Sequence, residues 1–152
     1  MLFDGRRLRS LTVVDAFARE AWAIEVDQGI KGEQVVAVLA RVVLLRGAPG
    51  AIQVDHGREF ISRALDRRAY ENDVTRDFSR LGKPTDNAYI EAFNGRLRAE
   101  CLNASWFLSL ADARERIEDW RCHYNEDRPH TALGGLTRRA FANQAVSARE
   151  LA

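Results

Sequence analysis

Residues 33–46, EQVVAVLARVVLLR, carry apolar side chains at 35, 36, 38, 39, 42, 43 and 45 and stop at Gly47-Ala48-Pro49. That density is too great for a one-sided surface face and predicts a largely buried helix. The runs on either side supply something for it to cover. Residues 8–16, LRSLTVVDA, and 21–27, AWAIEVD, are β-branched and aromatic runs parted by a short polar turn, which predicts an antiparallel hairpin. After the glycine and proline, residues 50–54 read as a strand and Glu59 to Glu71 as a helix with Phe60, Ile61, Ala64, Leu65 and Ala69 on one face. Val74 to Phe78 is a candidate short strand.

The second half reads as helical. From Asp86 to about Asn103, Ile90, Phe93, Leu97 and Cys101 form a stripe at spacings of three and four, with Thr85 or Asp86 as N-cap after Pro84. A further helix is expected from Leu110 to Tyr124 with Ala113, Ile117 and Trp120 inward, then a loop-like stretch and a last short helix over Arg138 to Ala148. Strands alternating with helices predict an α/β domain, and 152 residues without a repeat or low-complexity stretch predict one of them, spanning 1–152.

Composition removes several classes. With 46% hydrophobic and 30% charged residues, no apolar run long enough to span a bilayer and no secretory leader pattern at the start, the expectation is a soluble cytoplasmic protein without a membrane partner. Cys101 and Cys122, in no metal-binding spacing, are expected to be buried free thiols. His56, His123 and His130 match no ligand motif either. A net charge of +1 gives no global field for nucleic acid, so any such argument must be local. The only lysines are Lys31 and Lys83; arginine suits phosphate, but base composition of a genome gives the same bias.

Two acids stand out. In IQVDHGREF, residues 52–60, Asp55 follows a strand-like run and precedes a glycine, the place where α/β folds put ligands; a helix N-cap would explain it equally well. In the helix from Asp86, Asn87, Glu91, Asn94 and Arg98 share a polar face, which is either a solvated surface or a carboxylate, two amides and a guanidinium offered to one partner. Sites that use two Mg²⁺ need several carboxylates converging from different elements, and two acids make part of such a cage.

Thirty-five residues separate Asp55 from Glu91. With VDHG around the first and DNAYIEAFNGRLRAE around the second, this interval resembles the catalytic core of the DDE integrases and insertion-sequence transposases of the orfB type. LTVVDAFARE resembles that family's second strand, GKPTDNAYIEAFNGRL its third acidic motif, and YNEDRPHTALGGLT its closing segment, here within residues 125–152. The resemblance implies a ribonuclease H-like sheet on which Asp, Asp and Glu bind two Mg²⁺ or Mn²⁺ ions for DNA strand transfer. Asp55 would be the second acid and Glu91 the third, both as metal ligands. Arg98, Lys83, Arg96, Asn87 and Asn94 are the candidate DNA contacts, and the implied partners are element ends and target DNA, a full-length transposase, or further copies of the chain.

The resemblance also sets expectations of loss. The family's first Asp lies on a strand upstream of the segment seen here as Gly5-Arg6-Arg7, and Asp4 and Asp15 replace it poorly. The fold is therefore expected to lack its first, central strand, between the hairpin and strand 50–54, leaving two open edges, marginal stability and no strand transfer by this chain alone. His56, Arg58, Leu81 and Arg138 are further departures from the family pattern. A non-catalytic remnant that binds DNA or a transposase is the alternative, and a fragment without function is a third.

Overall fold

β1 (Arg9–Val14) and β2 (Ala21–Asp27) pair antiparallel, Arg9 opposite Asp27 through Val13 opposite Ala23, with a bulge between Val13 and Val14. Asp15 closes the turn between them. Its N–H donates to the Glu20 carbonyl, its carbonyl accepts from the Arg19 N–H, and its carboxylate accepts from the Ala18 N–H at 3.0 Å. The computed structural model describes residues 1–15, 18–46, 51–54, 75–78, 88–129 and 133–151.

Cross-strand register divides the hairpin into two faces. Leu11, Val13 and Ala23 meet Val35, Val38 and Val42 of α1 (Gly32–Arg46). Ile24 and Val26 meet a second core formed by Leu2, Phe93, Leu97, Cys101, Phe107, Ala113, Ile117 and Tyr124. The hairpin is thus a middle layer between α1 and the C-terminal helices. The expectation of a largely buried α1 fails, since Leu44 and Leu45 in its last turn are 86% and 76% exposed. A two-stranded hairpin is narrower than the apolar surface this helix carries.

The second sheet is β3 (Ala51–Val54) paired in parallel with β4 (Thr75–Phe78), where a strand was expected from sequence. Among the described residues, no strand joins the two sheets. The helix expected at 59–71 and the N-cap at Thr85 or Asp86 lie outside the described residues.

α2 (Ala88–Leu97) runs into a π turn at Arg98–Leu102. α3 (Leu110–Glu126) begins at Ser109, whose hydroxyl accepts from the Asp112 N–H at 3.1 Å while the Asp112 carboxylate accepts from the Leu108 N–H at 2.9 Å. This reciprocal arrangement satisfies donors that a helix start leaves bare. α4 (Arg138–Leu151) follows, with Thr137 Oγ1 accepting from the Ala140 N–H.

α3 covers the outer edge of β2 with side chains. Asn125, fully buried, accepts from the Ala21 N–H and donates to the Ala21 carbonyl, both at 2.8 Å, as a neighbouring strand would. Arg121 also donates to the Ala21 carbonyl, and Arg114 to that of Val26. An edge that would otherwise template pairing with another chain is closed without a strand. Cys101 is a buried free thiol as expected; Cys122 is only half-buried and lies against Glu118 and Arg121. No helix among the described residues is long and apolar enough to cross a membrane.

Candidate active site

α2 is held from behind before it presents anything. Phe93, Leu97 and Cys101 are buried on the stripe that the sequence spacing marked. Phe93 meets the edges of Trp120 and Tyr124 at centroid distances of 5.7 and 5.1 Å, and those two rings stack at 5.1 Å. The Arg138 guanidinium, buried, lies 3.7 Å from the Tyr124 centroid and donates to the Tyr124 carbonyl. Burial comes first among the causes that push the Arg138 pKa down. Edge-to-face rings and a cation over a ring add directional preference to apolar burial, so the helix has little freedom to rotate.

The front of α2 carries the candidate acid. Glu91 stands in the first turn, exposed, and no hydrogen bond or ion pair engages its carboxylate among the described residues. One turn on, Asn94 Oδ1 accepts from Thr12 Oγ1 at 3.0 Å, pinning α2 to β1. Asn94 is half-buried and spends its carbonyl on the sheet, its amide N–H groups having no partner among the described residues. Arg98 lies seven residues after Glu91, nearly two full turns, and both it and Arg96 are exposed. Asp55, Lys83 and Asn87 lie outside the described residues.

Two residues before Glu91, Tyr89 packs against Arg19 of the β1–β2 turn, a pairing that the sequence reading did not single out. The Arg19 guanidinium sits 4.7 Å from the Tyr89 centroid, and Arg19 itself has a φ of 59°, in the left-handed region that a non-glycine residue enters at a cost. Burial raises the Tyr89 pKa, opposed by the Arg19 charge. Asp15 has its carboxylate on the Ala18 N–H, and Asp4 binds Arg6 through both oxygens at 3.0 and 2.6 Å. No side-chain cluster of three metal ligands forms among the described residues. Glu91 has the hard oxygen ligand that Mg²⁺ prefers, on a fixed helix and unpaired among the described residues, which do not complete a cage around it.

On the far side of the π turn, Glu100 accepts from Trp120 Nε1 at 3.0 Å and from Arg128 Nη1 at 2.7 Å. Burial opposes its ionisation, but these two hydrogen bonds together with the charges of Arg128 and Arg96 hold the Glu100 pKa down. Arg128 is thereby anchored to Glu100, a carboxylate that the Arg96 charge also reaches, a placement that no spacing in the sequence shows.

Comparison with known proteins agrees with this architecture. Two models of the integrase core domain match, over residues 2–84 and 72–137. An uncharacterised 31.7 kDa protein of the insertion element IS407 from Burkholderia multivorans is 54% identical over 93% of this chain and 51% of its own length. The putative transposase InsK of the element IS150 from Escherichia coli is 25% identical over 96% of this chain and 52% of its own length. The chain spans about half the length of these curated relatives. The integrase catalytic core of HTLV-2, solved in complex with magnesium in a trimeric form, superposes with a TM-score of 0.69 at 16% identity, covering 93% of this chain and 88% of that one. That likeness shows a ribonuclease H-like fold, and the family and insertion-element matches show that the chain belongs to the integrase core domain family of insertion-sequence transposases.

Proposed function

We propose that the chain carries two of the acids of a DNA strand-transfer site, Asp55 and Glu91, and that these 152 residues alone do not transfer strands. The observation that carries the reading is Glu91: a carboxylate with no partner among the described residues, at the start of a helix locked by Phe93, Trp120, Tyr124 and Thr12. Asp55 and Glu91 would hold divalent metal, Mg²⁺ or Mn²⁺, which when bound supplies activation of an attacking hydroxyl and charge relief at the leaving oxygen. The chain's own residues orient. Arg98 and Arg96, exposed along α2 and its π turn, take DNA phosphates, with Lys83 and the amides of Asn87 and Asn94 as further contacts.

The inactivity follows from how the remaining candidate acids are used. Asp4 is committed to Arg6 and Asp15 to the turn at Ala18, so neither stands ready as a third ligand. A cage short of a shared ligand loses most of its phosphoryl-transfer rate. The commitment of Asp4 and Asp15 also favours the second reading, a module that binds DNA or a transposase without catalysis.

The test is a strand-transfer assay on element-end DNA with Mg²⁺ or Mn²⁺, beside salt-dependent DNA binding. The chain is expected to give no joined product and to bind DNA more weakly as salt rises, with Arg98→Ala lowering affinity and flattening that dependence by about one charge. Joining abolished by Glu91→Gln would overturn the inactivity and uphold the site. Joining indifferent to Glu91→Gln would overturn the site itself.

A further inference from the structure

Arg19 stands where a smaller residue would serve the backbone better. Its φ of 59° lies in the left-handed region, which glycine enters freely and asparagine more readily than a long side chain does. The surrounding turn holds it there. Ala18 and Glu20 on either side are buried, the Arg19 N–H donates to the Asp15 carbonyl, and the Ala18 N–H donates to the Asp15 carboxylate. A costly backbone position occupied by an arginine points to a task for its side chain.

That side chain crosses to α2. The Arg19 guanidinium lies 4.7 Å from the Tyr89 centroid, within the reach at which a ring face holds a cation, and both residues are half-buried, which strengthens the contact. Tyr89 stands in the first turn of α2, four residues before Phe93 and so on the same side of the helix. Glu91 follows two residues after Tyr89, about 200° round the helix axis. Whatever fixes the Tyr89 ring therefore also sets the direction of Glu91. Beyond Glu91 the helix is locked at Phe93 and Asn94. At its start, where helices fray, the fixed points among the described residues are Ile90, packed on the core, and Tyr89 on Arg19. An aliphatic contact is without direction, whereas a cation over a ring has one.

We propose that Arg19 is a positioning residue of the Glu91 site: its guanidinium, resting on the Tyr89 ring, fixes the first turn of α2 and with it the direction in which Glu91 offers its carboxylate. The proposal rests on the reading of Glu91 as a metal ligand. Groups that orient a ligand count because a carboxylate free to swing loses affinity even when its own atoms are intact.

The test combines backbone ¹⁵N order parameters of the chain with a Mn²⁺ titration followed by paramagnetic broadening of the α2 amides. Arg19→Asn keeps a residue suited to the left-handed turn and removes the guanidinium, while Tyr89→Leu removes the ring. Each is expected to lower the order parameters of residues 88–92, to leave those of 93–97 unchanged, and to weaken Mn²⁺ binding about tenfold. The double variant should bind no more weakly than either single one, because the two side chains act as one contact. Arg19→Lys, with an ammonium over the ring, should recover most of the affinity. In urea, Arg19→Asn should be at least as stable as the parent chain, which separates positioning from support of the fold. Order parameters of residues 88–92 that stay unchanged in Arg19→Asn would overturn the proposal. Glu91→Gln distinguishes the two readings. Broadening lost in Glu91→Gln but intact in Arg19→Asn overturns the role of Arg19 and leaves the site standing; broadening that survives Glu91→Gln overturns the metal reading of Glu91, and the role of Arg19 with it.

Discussion

At the scale of single residues, the buried polar groups decide more than the candidate acids do. Asn125 is the clearest case. It satisfies both backbone groups of Ala21 inside the protein, and its replacement by alanine strands the N–H while Arg121 continues to serve the carbonyl. An unsatisfied buried donor costs about 1–3 kcal/mol, and the cavity left by the amide adds to it. Asn125→Ala should therefore destabilise by about 2–3 kcal/mol in urea unfolding with an unchanged slope; a loss under about 0.5 kcal/mol would mean that the edge of β2 is not closed as described. Nothing in sequence spacing marks Asn125, Glu20 or Arg138 as buried, because each is polar and each depends on partners a hundred or more, or a dozen or more, positions away. The exposed place of Glu91 on α2 was legible for the opposite reason. Its surroundings are local, one helix with a regular apolar back, and the interval to Asp55 could be read directly; Asp55 itself lies outside the described residues.

At the scale of elements, periodicity located what the local chain determines. The hairpin, α1, the stripe of α2 and the inward face of α3 lie where spacing put them, since each needs only an apolar period and a stop signal. It misjudged how much of α1 is covered, because cover depends on the width of the sheet beneath, and it missed the π turn at Arg98–Leu102, whose residues continue an ordinary helical pattern. The start of α3 offers a test at this scale. Ser109 and Asp112 cap it reciprocally, and the aromatic stack that fixes α2 is carried on the same helix at Trp120 and Tyr124. Ser109→Ala should cost about 1 kcal/mol, while the near-ultraviolet dichroism of the rings persists, since fraying at the first turn stops well short of them. A loss of that ring signal would show instead that the cap and the stack melt as one unit.

At the scale of the whole molecule, ion pairs add to two apolar cores in joining layers that share little sheet among the described residues. The hairpin and the β3–β4 pair are separate two-stranded sheets among the described residues, and the outer edge of β2 is closed by arginines whose charges are balanced by carboxylates. Two of the acids report on this. Hydrogen bonding from Arg121 holds Glu118 below the usual carboxylate range despite opposing burial, and Glu100 is lowered by Arg128 and Trp120 against its own burial. A carboxyl whose pKa is depressed by folding contributes stability that is fully present above its unfolded value, near 4.5 for glutamate, and is lost as pH falls through the folded value. The melting temperature should hold level from pH 8 to about 5.5 and then drop as pH passes below about 4.5. Both acids are substantially exposed, so the drop should shrink at high salt, and it should shrink again in a Glu100→Gln, Glu118→Gln double variant that is itself less stable at pH 7. With so little continuous sheet among the described residues, the transition at neutral pH is also expected to be low and broad. A sharp, high melt whose midpoint ignores pH down to 3 would show that packing of the two cores, not the pairs between layers, holds the molecule together.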